Sequence, residues 1–474
     1  MKTRAIIYLA GFFLMGLSLW TYRFFGRVSI DQALWTISFG AEGVLAADSV
    51  YLKRFVTWAI IWPINLTILF LGVEALVTRY FIRIKIHRYL SYVFLIGGMA
   101  YFSYQYQLME YLSHSHKADK DYFALNYIDA NTVSFQVHQP KSLVLIYIES
   151  LEASYANATL FDKDLLKPLT SLQHNHLVFS AFKQVPGTGW TVGGLVATQC
   201  GIPLKSLTIM GNNRIGENVD EFLPKVKCLG DILAENGYKN VFMEGSSLLV
   251  GGKGKFLEKH HYAERIGLEE WLMRGYKEQD MNHWGLPDDE LLKQAKYKFD
   301  ALMQSKQLFN LTLLTVDTHG VTGQLNKTCE QKKYHDFKGI VECTGGMVAD
   351  FVHYIIASGG LQKVNIVVMG DHLAMSNDVN DILQTSPSRT IFNVLISDKK
   401  FQKNRDEIVH FDWLPTVLNT LGFSDYGDKL GLGYAAIGQQ KANITKNRMN
   451  EIEKQVSYDS EFYNQLWIPN IKKA

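Results

Sequence analysis

Leu143-Val-Leu-Ile-Tyr-Ile148, followed at once by Glu149-Ser150, is the stretch of this 474-residue sequence that decides its fold class. A short, wholly apolar run is typical of a central parallel strand, which is covered on both faces. Similar strands are predicted at 240–243, 311–316, 364–369 and 391–396. Helices are predicted between them at 229–236 (closed by Gly237), 289–304, 347–358 and 412–421. Strands that alternate with helices predict an α/β/α domain with a mainly parallel central sheet.

Polar residues follow three of these strands at the point where each strand ends. Glu149-Ser150 follows the first, Asp317-Thr318-His319-Gly320 follows the strand at 311–316, and Gly370-Asp371-His372 follows the strand at 364–369. In open α/β sheets, ligands bind in the crevice beyond the carboxyl ends of the strands. A single Asp-His pair is more often a helix cap or a surface turn. Three clusters at matching positions predict one shared site.

A fourth segment, Gly187-Thr-Gly-Trp190-Thr191-Val-Gly-Gly, places a threonine at the predicted start of a helix that runs through Gln199. Free backbone N–H groups and the helix dipole stabilise negative charge at that position. Threonine before a helix is more often a simple N-cap. In the company of the three strand-end clusters, however, the Thr191 hydroxyl is interpreted as a nucleophile that faces a phosphate.

The chemistry of these side chains predicts a metal site. Glu149, Thr191, Asp371 and His372 offer three oxygens and one imidazole nitrogen, a set that suits Mn²⁺ best, with Mg²⁺ or Zn²⁺ as alternatives. A divalent ion lowers the pKa of a bound hydroxyl and so activates it. His319 lies outside this set but at the same crevice, where it is expected to bind the phosphate or to protonate the departing oxygen.

Several further residues are weaker candidates. Trp190 and Trp284 are predicted to contact the substrate, although a helix-start signal explains the neighbouring Asp288 without any function. Lys253 and Lys255, in a glycine-rich stretch, are interpreted as a solvated loop rather than as phosphate ligands.

Four cysteines lie beyond the apolar N-terminal region: Cys200, Cys228, Cys329 and Cys343. An even number in an exported domain predicts two disulfides, for which three pairings exist. Nearest-neighbour pairing, Cys200 with Cys228 and Cys329 with Cys343, is the expected one. Four unpaired thiols are the alternative.

The first 110 residues are crowded with apolar side chains, and three stretches are long enough to cross a bilayer: 5–25, 55–77 and 89–111. The run at 33–46 is shorter, carries Glu42, and is interpreted as re-entrant or interfacial. The sequence around Trp20 lacks a small-residue cleavage site, which indicates an uncleaved anchor. The basic loop at 79–88 is predicted to be cytoplasmic, which places the remainder outside. Three spans are also consistent with a mere anchor for any exported enzyme.

These observations predict four regions: a membrane anchor at 1–112, a connector at 113–140, a catalytic domain at 141–440 and a tail at 441–474. The 48 Lys plus Arg nearly balance the 46 Asp plus Glu, which argues against nucleic acid as a partner.

The motifs Glu149-Ser150, Gly-Trp190-Thr191, Asp-Thr-His319-Gly and Gly-Asp371-His372 resemble the branch of the alkaline phosphatase superfamily that includes lipoteichoic acid synthases and phosphoglycerol transferases. Residues 187–204 are most similar to the phosphoglycerol transferase I group, which decorates periplasmic glucans of Gram-negative bacteria. The likeness covers most of residues 141–425 and the multispan anchor.

The resemblance implies a sulfatase-like fold, with Glu149, Thr191, Asp371 and His372 as metal ligands and Thr191 as nucleophile. It implies that His319 binds substrate. It also implies phosphatidylglycerol as donor, a phosphoglyceryl-threonine intermediate, a periplasmic or surface glycan as acceptor, and a multi-pass protein of the bacterial inner membrane whose catalytic domain faces the periplasm.

Three other functions remain open from the sequence. A phosphoethanolamine transferase would share the nucleophile and the metal and differ in donor headgroup. A phosphodiester hydrolase would resolve the same intermediate with water. A non-enzymatic protein that binds lipid headgroups is disfavoured because every chemically required position is filled.

Overall fold

A six-stranded sheet forms the centre of the computed structural model, which describes residues 2–35, 49–80, 89–114, 120–205, 221–438 and 448–469. In chain order its strands are β1 (Ser142–Ile148), β2 (Lys239–Glu244), β3 (Tyr262–Ile266), β4 (Phe309–Leu314), β5 (Val364–Gly370) and β6 (Asn393–Ile396). Across the sheet they lie in the order β3-β2-β4-β1-β5-β6. All neighbours are parallel except β5 and β6, so the predicted mainly parallel sheet is confirmed.

Strand β1 shows why the sheet is buried on both faces. Leu143, Leu145 and Tyr147 belong to one hydrophobic core, and Val144, Ile146 and Ile148 belong to the other. Alternate side chains of a strand point to opposite faces, so a wholly apolar strand requires a cover on each side. The register pairs Tyr147 with Leu314 and Ile148 with Gly370, which brings the ends of β1, β4 and β5 to one edge.

Helices supply that cover. The longer ones in this part of the chain are Thr191–Cys200, Asp288–Ser305, Phe337–Ala357, Trp413–Thr420 and Arg448–Gln455. The shorter ones are Tyr122–Asn126, Ala158–Phe161, Lys167–Gln173, Leu229–Glu235, Lys253–Lys259, Leu268–Met273, Lys327–Gln331, Asn380–Gln384 and Glu461–Gln465. Three two-stranded pairings complete the domain: Gln136–Val137 with Phe423–Ser424, Ala181–Lys183 with Glu407–Val409, and Lys429–Leu430 with Gly433–Tyr434.

Both predicted disulfides are present with the expected nearest-neighbour pairing. Cys200–Cys228 ties the end of the Thr191–Cys200 helix to the N-cap of Leu229–Glu235. Cys329–Cys343 ties the short helix Lys327–Gln331 to Phe337–Ala357. The bridges join helices whose cysteines lie 28 and 14 positions apart in the sequence.

The N-terminal helices are Lys2–Phe25, then Ser49–Phe55 continued by the π-helix Val56–Ile61 and by Trp62–Tyr80, and then Leu90–Gln105 followed by Leu108–His114. Among the described residues, three helices are long and apolar enough to cross a membrane: Lys2–Phe25, Leu52–Tyr80 and Phe337–Ala357. The last is 61% buried inside the catalytic domain, so its apolar composition reflects a core position.

The third predicted span differs from its prediction at 89–111. Its helix, Leu90–Gln105, has 16 residues. The helical conformation is interrupted at Gln107, where φ is 52°, and the next helix begins at Leu108. A helix usually needs about 20 residues to cross a bilayer, so this helix is shorter than a typical span. Three spans therefore remain a prediction, as do the four region boundaries. The run around Glu42 and most of the basic loop at 79–88 lie outside the described residues.

The N-terminal helix Lys2–Phe25 ends against the α/β domain. Gly26 follows it with φ of 71°, and a Cβ there would lie 3.1 Å from Cβ of Ser376, so glycine suits this position on both counts. The Gly26 carbonyl accepts a hydrogen bond from Gln105 Nε2, and Arg27 Nε donates to the Tyr104 carbonyl at 3.1 Å. The close approach of Gly26 and Ser376 joins this helix to the α/β domain, and the two hydrogen bonds join Gly26 and Arg27 to the helix Leu90–Gln105.

Candidate active site

Glu149, Asp371 and His372 form a buried cluster where β1 and the neighbouring β5 end. His372 Nε2 lies 3.4 Å from Glu149 Oε1 and 3.3 Å from Asp371 Oδ2. One ligand atom of each residue lies within 4.8 Å of the others. Because β1 and β5 are adjacent and in register, the two strand-end motifs predicted from the sequence meet at one point.

Thr191 reaches this cluster from the first turn of the Thr191–Cys200 helix. Trp190, in extended conformation, occupies the N-cap position, so the simple N-cap interpretation of Thr191 is wrong. The Thr191 hydroxyl instead donates a hydrogen bond to Glu149 Oε2 at 3.1 Å. Gly194 allows the helix to approach this closely, since a Cβ there would lie 2.2 Å from the Asp371 carbonyl oxygen.

Hydrogen bonds fix the orientation of each member of the cluster. Asp371 Oδ1 accepts from the backbone N–H of Ser150 at 2.8 Å and of His372 at 2.9 Å. The Ser150 hydroxyl donates to Glu149 Oε1 at 2.8 Å. His372 Nδ1 lies 2.8 Å from the Leu373 carbonyl, so Nδ1 carries the hydrogen and Nε2 is turned to the carboxylates.

Burial and mutual charge set the ionisation of the cluster. Burial and the negative charge of Glu149 raise the pKa of Asp371. Burial alone would lower the pKa of His372, but the charges of Asp371 and Glu149 outweigh it and raise that pKa. For Glu149, burial opposes ionisation, yet the positive charge of His372 holds its pKa below the ordinary value. Without a further cation, the cluster therefore holds protons at neutral pH.

The residues fit a divalent cation. Asp371 Oδ2 and His372 Nε2 are buried, and neither makes a hydrogen bond with any residue that the structure describes. A buried polar atom without a hydrogen-bond partner is energetically costly. His372 Nε2 also lies 3.4 Å from Glu149 Oε1, so a bound cation could contact both residues. Two carboxylates, an imidazole and a hydroxyl together form a mixed oxygen and nitrogen donor set.

His319 and Trp284 lie on one side of the same site. Their ring centroids are 4.1 Å apart. Burial lowers the pKa of His319, so its imidazole is neutral at pH 7, and its buried Nδ1 has no hydrogen-bond partner among the described residues. His319 and Glu149 line one small pocket together with Phe24, the penultimate residue of the first membrane helix. The anchor therefore contributes directly to the wall of the site.

Two candidates lie elsewhere. Trp190 is half-buried, packs edge-on against Trp35 at 6.1 Å between ring centroids, and lines a different cavity. Asp317, expected to converge with the other strand-end residues, instead accepts hydrogen bonds from the side chains of Asn282 (2.7 Å) and Asn326 (2.6 Å). Burial raises its pKa to about 7. Asp317 therefore shapes the loop that presents His319.

The interpretation of Lys253 as part of a solvated loop is wrong. Lys253 is buried and its Nζ lies 2.7 Å from Glu244 Oε2, the last residue of β2, and 3.0 Å from the Ser246 hydroxyl. The charge of Lys253 helps to lower the pKa of His319, so the pair lies close to the site. The position of Glu244 at a strand end is the sequence signal that would have found this pair. Lys255, by contrast, is exposed.

A mainly parallel sheet with a buried carboxylate–imidazole cluster at its strand ends, faced by a hydroxyl at a helix start, defines a member of the alkaline phosphatase superfamily. The chain belongs to the sulfatase family of that superfamily, whose family model matches residues 141–423. The resemblance drawn from the four sequence motifs is thereby confirmed.

Among curated proteins, the chain is similar to phosphoglycerol transferase I of Shigella flexneri and of Escherichia coli O6:K15:H31, in each case 38% identical over 348 residues. The match covers 71% of this chain and 44% of each relative, so the chain spans less than half the length of the curated relatives it matches.

Among solved structures, it is similar to the lipoteichoic acid synthase LtaP from Listeria monocytogenes (TM-score 0.49, 14% identity, covering 76% of this chain and 98% of that one). It is also similar to the Streptococcus pyogenes phosphoglycerol transferase GacH in complex with sn-glycerol-1-phosphate (TM-score 0.41, 11% identity, covering 66% and 79%).

Proposed function

We propose that this protein is a membrane-anchored phosphoglycerol transferase that takes the headgroup of phosphatidylglycerol and passes it to a glycan of the cell envelope. The observation that carries the proposal is the hydrogen bond from the Thr191 hydroxyl to Glu149, inside a cluster suited to a cation and beside a pocket lined by Phe24. The curated relatives named phosphoglycerol transferase I support the choice of headgroup.

The first half-reaction is attack by Thr191 on the donor phosphorus. The hydroxyl proton leaves along the hydrogen bond to Glu149, the Oγ1–phosphorus bond forms, and the bond from phosphorus to the diacylglycerol oxygen breaks. The proton then passes from Glu149 to the departing oxygen, so that diacylglycerol leaves as a neutral alcohol. Glu149, Thr191, Asp371 and His372 would hold a divalent cation, with Mn²⁺ the best match to the set, which would lower the pKa of a bound hydroxyl and neutralise phosphate charge. The start of the Thr191–Cys200 helix favours the same negative charge through its free N–H groups.

His319 is the group proposed to assist the departing oxygen. It lines the pocket together with Glu149 and is neutral at pH 7, because burial lowers its pKa. A neutral imidazole donates a hydrogen bond to phosphate or to the leaving oxygen through the nitrogen that carries its hydrogen. Trp284, in ring contact with His319, restricts the orientation of the imidazole and is proposed to contact the glycerol group.

The second half-reaction returns Thr191 to its starting state. A sugar hydroxyl attacks phosphorus, a new oxygen–phosphorus bond forms, the bond to Thr191 breaks, and the sugar proton passes to the threonine oxygen. Water in place of the sugar would give a hydrolase.

The position of Phe24 supports a lipid donor. Phe24 belongs to a helix long and apolar enough to cross a bilayer, and it lines the same pocket as Glu149 and His319. We propose that a phosphodiester at the membrane surface enters beside Phe24 and Glu149, the hydrogen-bond partner of Thr191, while its acyl chains stay in the bilayer. We propose that the protein is a multi-pass inner-membrane protein and that the catalytic domain faces the periplasm, an oxidising compartment in keeping with its two disulfides.

The proposal is tested by incubating the purified full-length protein, in lipid vesicles with Mn²⁺, with headgroup-labelled phosphatidylglycerol and envelope glycan. Label on the glycan, together with release of diacylglycerol, is the expected result. Label recovered only as free glycerol phosphate would assign a hydrolase. Equal transfer from labelled phosphatidylethanolamine would assign the protein to the phosphoethanolamine class.

A further inference from the structure

A second cavity, of about 470 Å³, lies where the membrane anchor, the catalytic domain and the C-terminal helix Arg448–Gln455 meet. It is lined by Arg27 after the first membrane helix, Gln107 before the helix Leu108–His114, Trp190 before the nucleophile, and Glu453. The catalytic pocket is lined by a different set of residues, so the two cavities are distinct. The volume falls within the range of small-molecule binding sites.

The wall between this cavity and the catalytic cluster is thin. Gln184 lines the cavity, and its Oε1 accepts a hydrogen bond at 2.8 Å from the backbone N–H of Leu373, the residue after His372. Trp190 lines the same cavity and is bonded directly to Thr191. A ligand in this cavity therefore lies beside the start of the helix that carries the proposed nucleophile.

The charged groups of the cavity argue against an anionic ligand. Three carboxylates stand against two cations, and both cations are engaged: Arg27 with Glu110 at 3.6 Å, and Lys205 over the rings of Phe123 and Tyr463 at 5.4 and 5.6 Å. A site for phosphate or an anionic headgroup would present unengaged cations instead. The formal balance of the lining is one negative charge, which disfavours an anion further.

The remaining lining groups match a carbohydrate. Amides both donate and accept hydrogen bonds, as sugar hydroxyls require. Tyrosine and tryptophan combine an apolar ring with a polar edge, which suits a sugar ring with its C–H faces and hydroxyl rim. The cavity supplies both types of side chain: Gln32, Gln107, Gln184, Tyr111 and Trp190.

We propose that this cavity is the acceptor site and that it binds a neutral oligosaccharide; the inference rests on the proposed transferase function. A hydroxyl of the bound sugar passes Trp190 and attacks phosphorus of the phosphoglyceryl group on Thr191. The sugar oxygen–phosphorus bond forms, the phosphorus–Oγ1 bond breaks, and the sugar proton ends on Thr191. The donor enters past Phe24 and the acceptor past Trp190, so the two substrates approach Thr191 by separate routes.

Glu453 offers a sharp test because Glu451 lies two positions away on the same helix and outside the cavity lining. Both side chains are exposed, so substitutions at either position are compatible with folding. Glu453→Ala removes an acceptor of hydroxyl groups, and Glu453→Trp fills the cavity. Glu451→Ala and Glu451→Trp are the matched controls.

Binding is measured by calorimetry on full-length Thr191→Ala protein in lipid nanodiscs, with a linear glucose hexasaccharide and, separately, sn-glycerol-1-phosphate as probes. We expect the hexasaccharide to bind the parent, to bind Glu453→Ala about tenfold more weakly, and to be excluded by Glu453→Trp, with both Glu451 variants within about twofold of the parent. The inference is overturned if the hexasaccharide does not bind the Thr191→Ala protein. It is also overturned if the Glu453 and Glu451 variants bind the hexasaccharide with equal affinity. Glycerol phosphate binding that Glu453→Trp abolishes overturns it as well. Because these measurements involve no turnover, they test whether the cavity binds an oligosaccharide even if the proposed transfer reaction is not observed.

Discussion

Thr191 shows how one residue changes meaning between sequence and structure. Taken alone, a threonine at a predicted helix start is more often a cap, and only the three strand-end clusters favoured a nucleophile. The structure gives the cap position to Trp190 and directs the Thr191 hydroxyl to Glu149. Glu149, Asp371 and His372 could be found from the sequence because each follows a buried strand. Asp317 follows one too, yet it turns to Asn282 and Asn326, since the direction of a loop side chain depends on partners distant in sequence.

Lys253 and Glu244 form a buried ion pair whose stability effect is measurable. In Lys253→Met, the buried Glu244 loses its partner, and we expect a loss of about 3 kcal/mol in the free energy of unfolding. The double variant Glu244→Gln with Lys253→Met should recover most of that loss, because it removes both charges. Chemical denaturation of the detergent-solubilised protein measures both. A change in Lys253→Met no larger than in the exposed control Lys255→Met would contradict a buried pair.

Cation binding by the Glu149, Asp371 and His372 cluster should depend on pH. The pKa values of Asp371 and His372 are raised in the cation-free protein, whereas a cation binds their deprotonated forms. Mn²⁺ affinity is therefore expected to rise from about pH 6 to about pH 9, with protons released on binding. Calorimetry in buffers of different ionisation enthalpy measures the release. An affinity that is constant over this range, with no proton release, would disagree with the electrostatics of the cluster.

Among the elements, apolar runs located five of the six strands of the central sheet. Sequence patterns located four of the five longer helices in this part of the chain and missed Arg448–Gln455. Strand β3 was missed because it lies at the edge of the sheet, where Ala263 is exposed and Glu264 and Arg265 are half-buried. The antiparallel direction of β6 could not be predicted, because buried parallel and antiparallel strands can have the same apolar sequence pattern. The helix Phe337–Ala357 begins earlier than predicted, at a cap where the Asp336 side chain accepts from Gly339 N–H.

The placement of the Thr191–Cys200 helix depends on Gly194. A Cβ at that position would meet the Asp371 carbonyl oxygen at 2.2 Å, so Gly194→Ala should push the helix away from Asp371. We expect transfer activity to fall by more than about tenfold, as small displacements of a nucleophile are costly. Gly346→Ala is the matched control, because a Cβ there meets nothing within 4 Å and the residue lies within Phe337–Ala357. That control should keep its activity and gain up to about 1 kcal/mol in stability. Equal activity in the two variants would show that the close approach is not required.

At the scale of the whole molecule, the anchor does more than tether the enzyme. Gly26 lies against Ser376, Phe24 lines the pocket that contains Glu149 and His319, and Gln105 donates a hydrogen bond to the Gly26 carbonyl. Composition predicted an anchor but could not predict this contact, because apolar residues that face lipid and apolar residues that face protein look alike in sequence. The same ambiguity explains Phe337–Ala357, which is apolar enough to span a membrane and lies in the core.

The proposed topology is testable with reporter fusions. Alkaline phosphatase fused after residue 474 should be active, because the reporter folds in the oxidising periplasm with the catalytic domain. A fusion within residues 79–88 should be inactive, since positive loops stay in the cytoplasm. The opposite pattern would reverse the orientation and remove the compartment in which the two disulfides form.

The most direct test of the central claim is the mass of the covalent adduct on Thr191. Full-length protein with Mn²⁺ is mixed with vesicles of phosphatidylglycerol or of phosphatidylethanolamine, quenched, and digested for mass spectrometry, with Thr191→Ala as the control. With phosphatidylglycerol vesicles, we expect a phosphoglyceryl mass increment on the peptide that contains Thr191. We expect a lower yield of the same adduct in Thr191→Ser and none in Thr191→Ala. A phosphoethanolamine increment, or an unmodified Thr191 under conditions in which diacylglycerol is released, would contradict it.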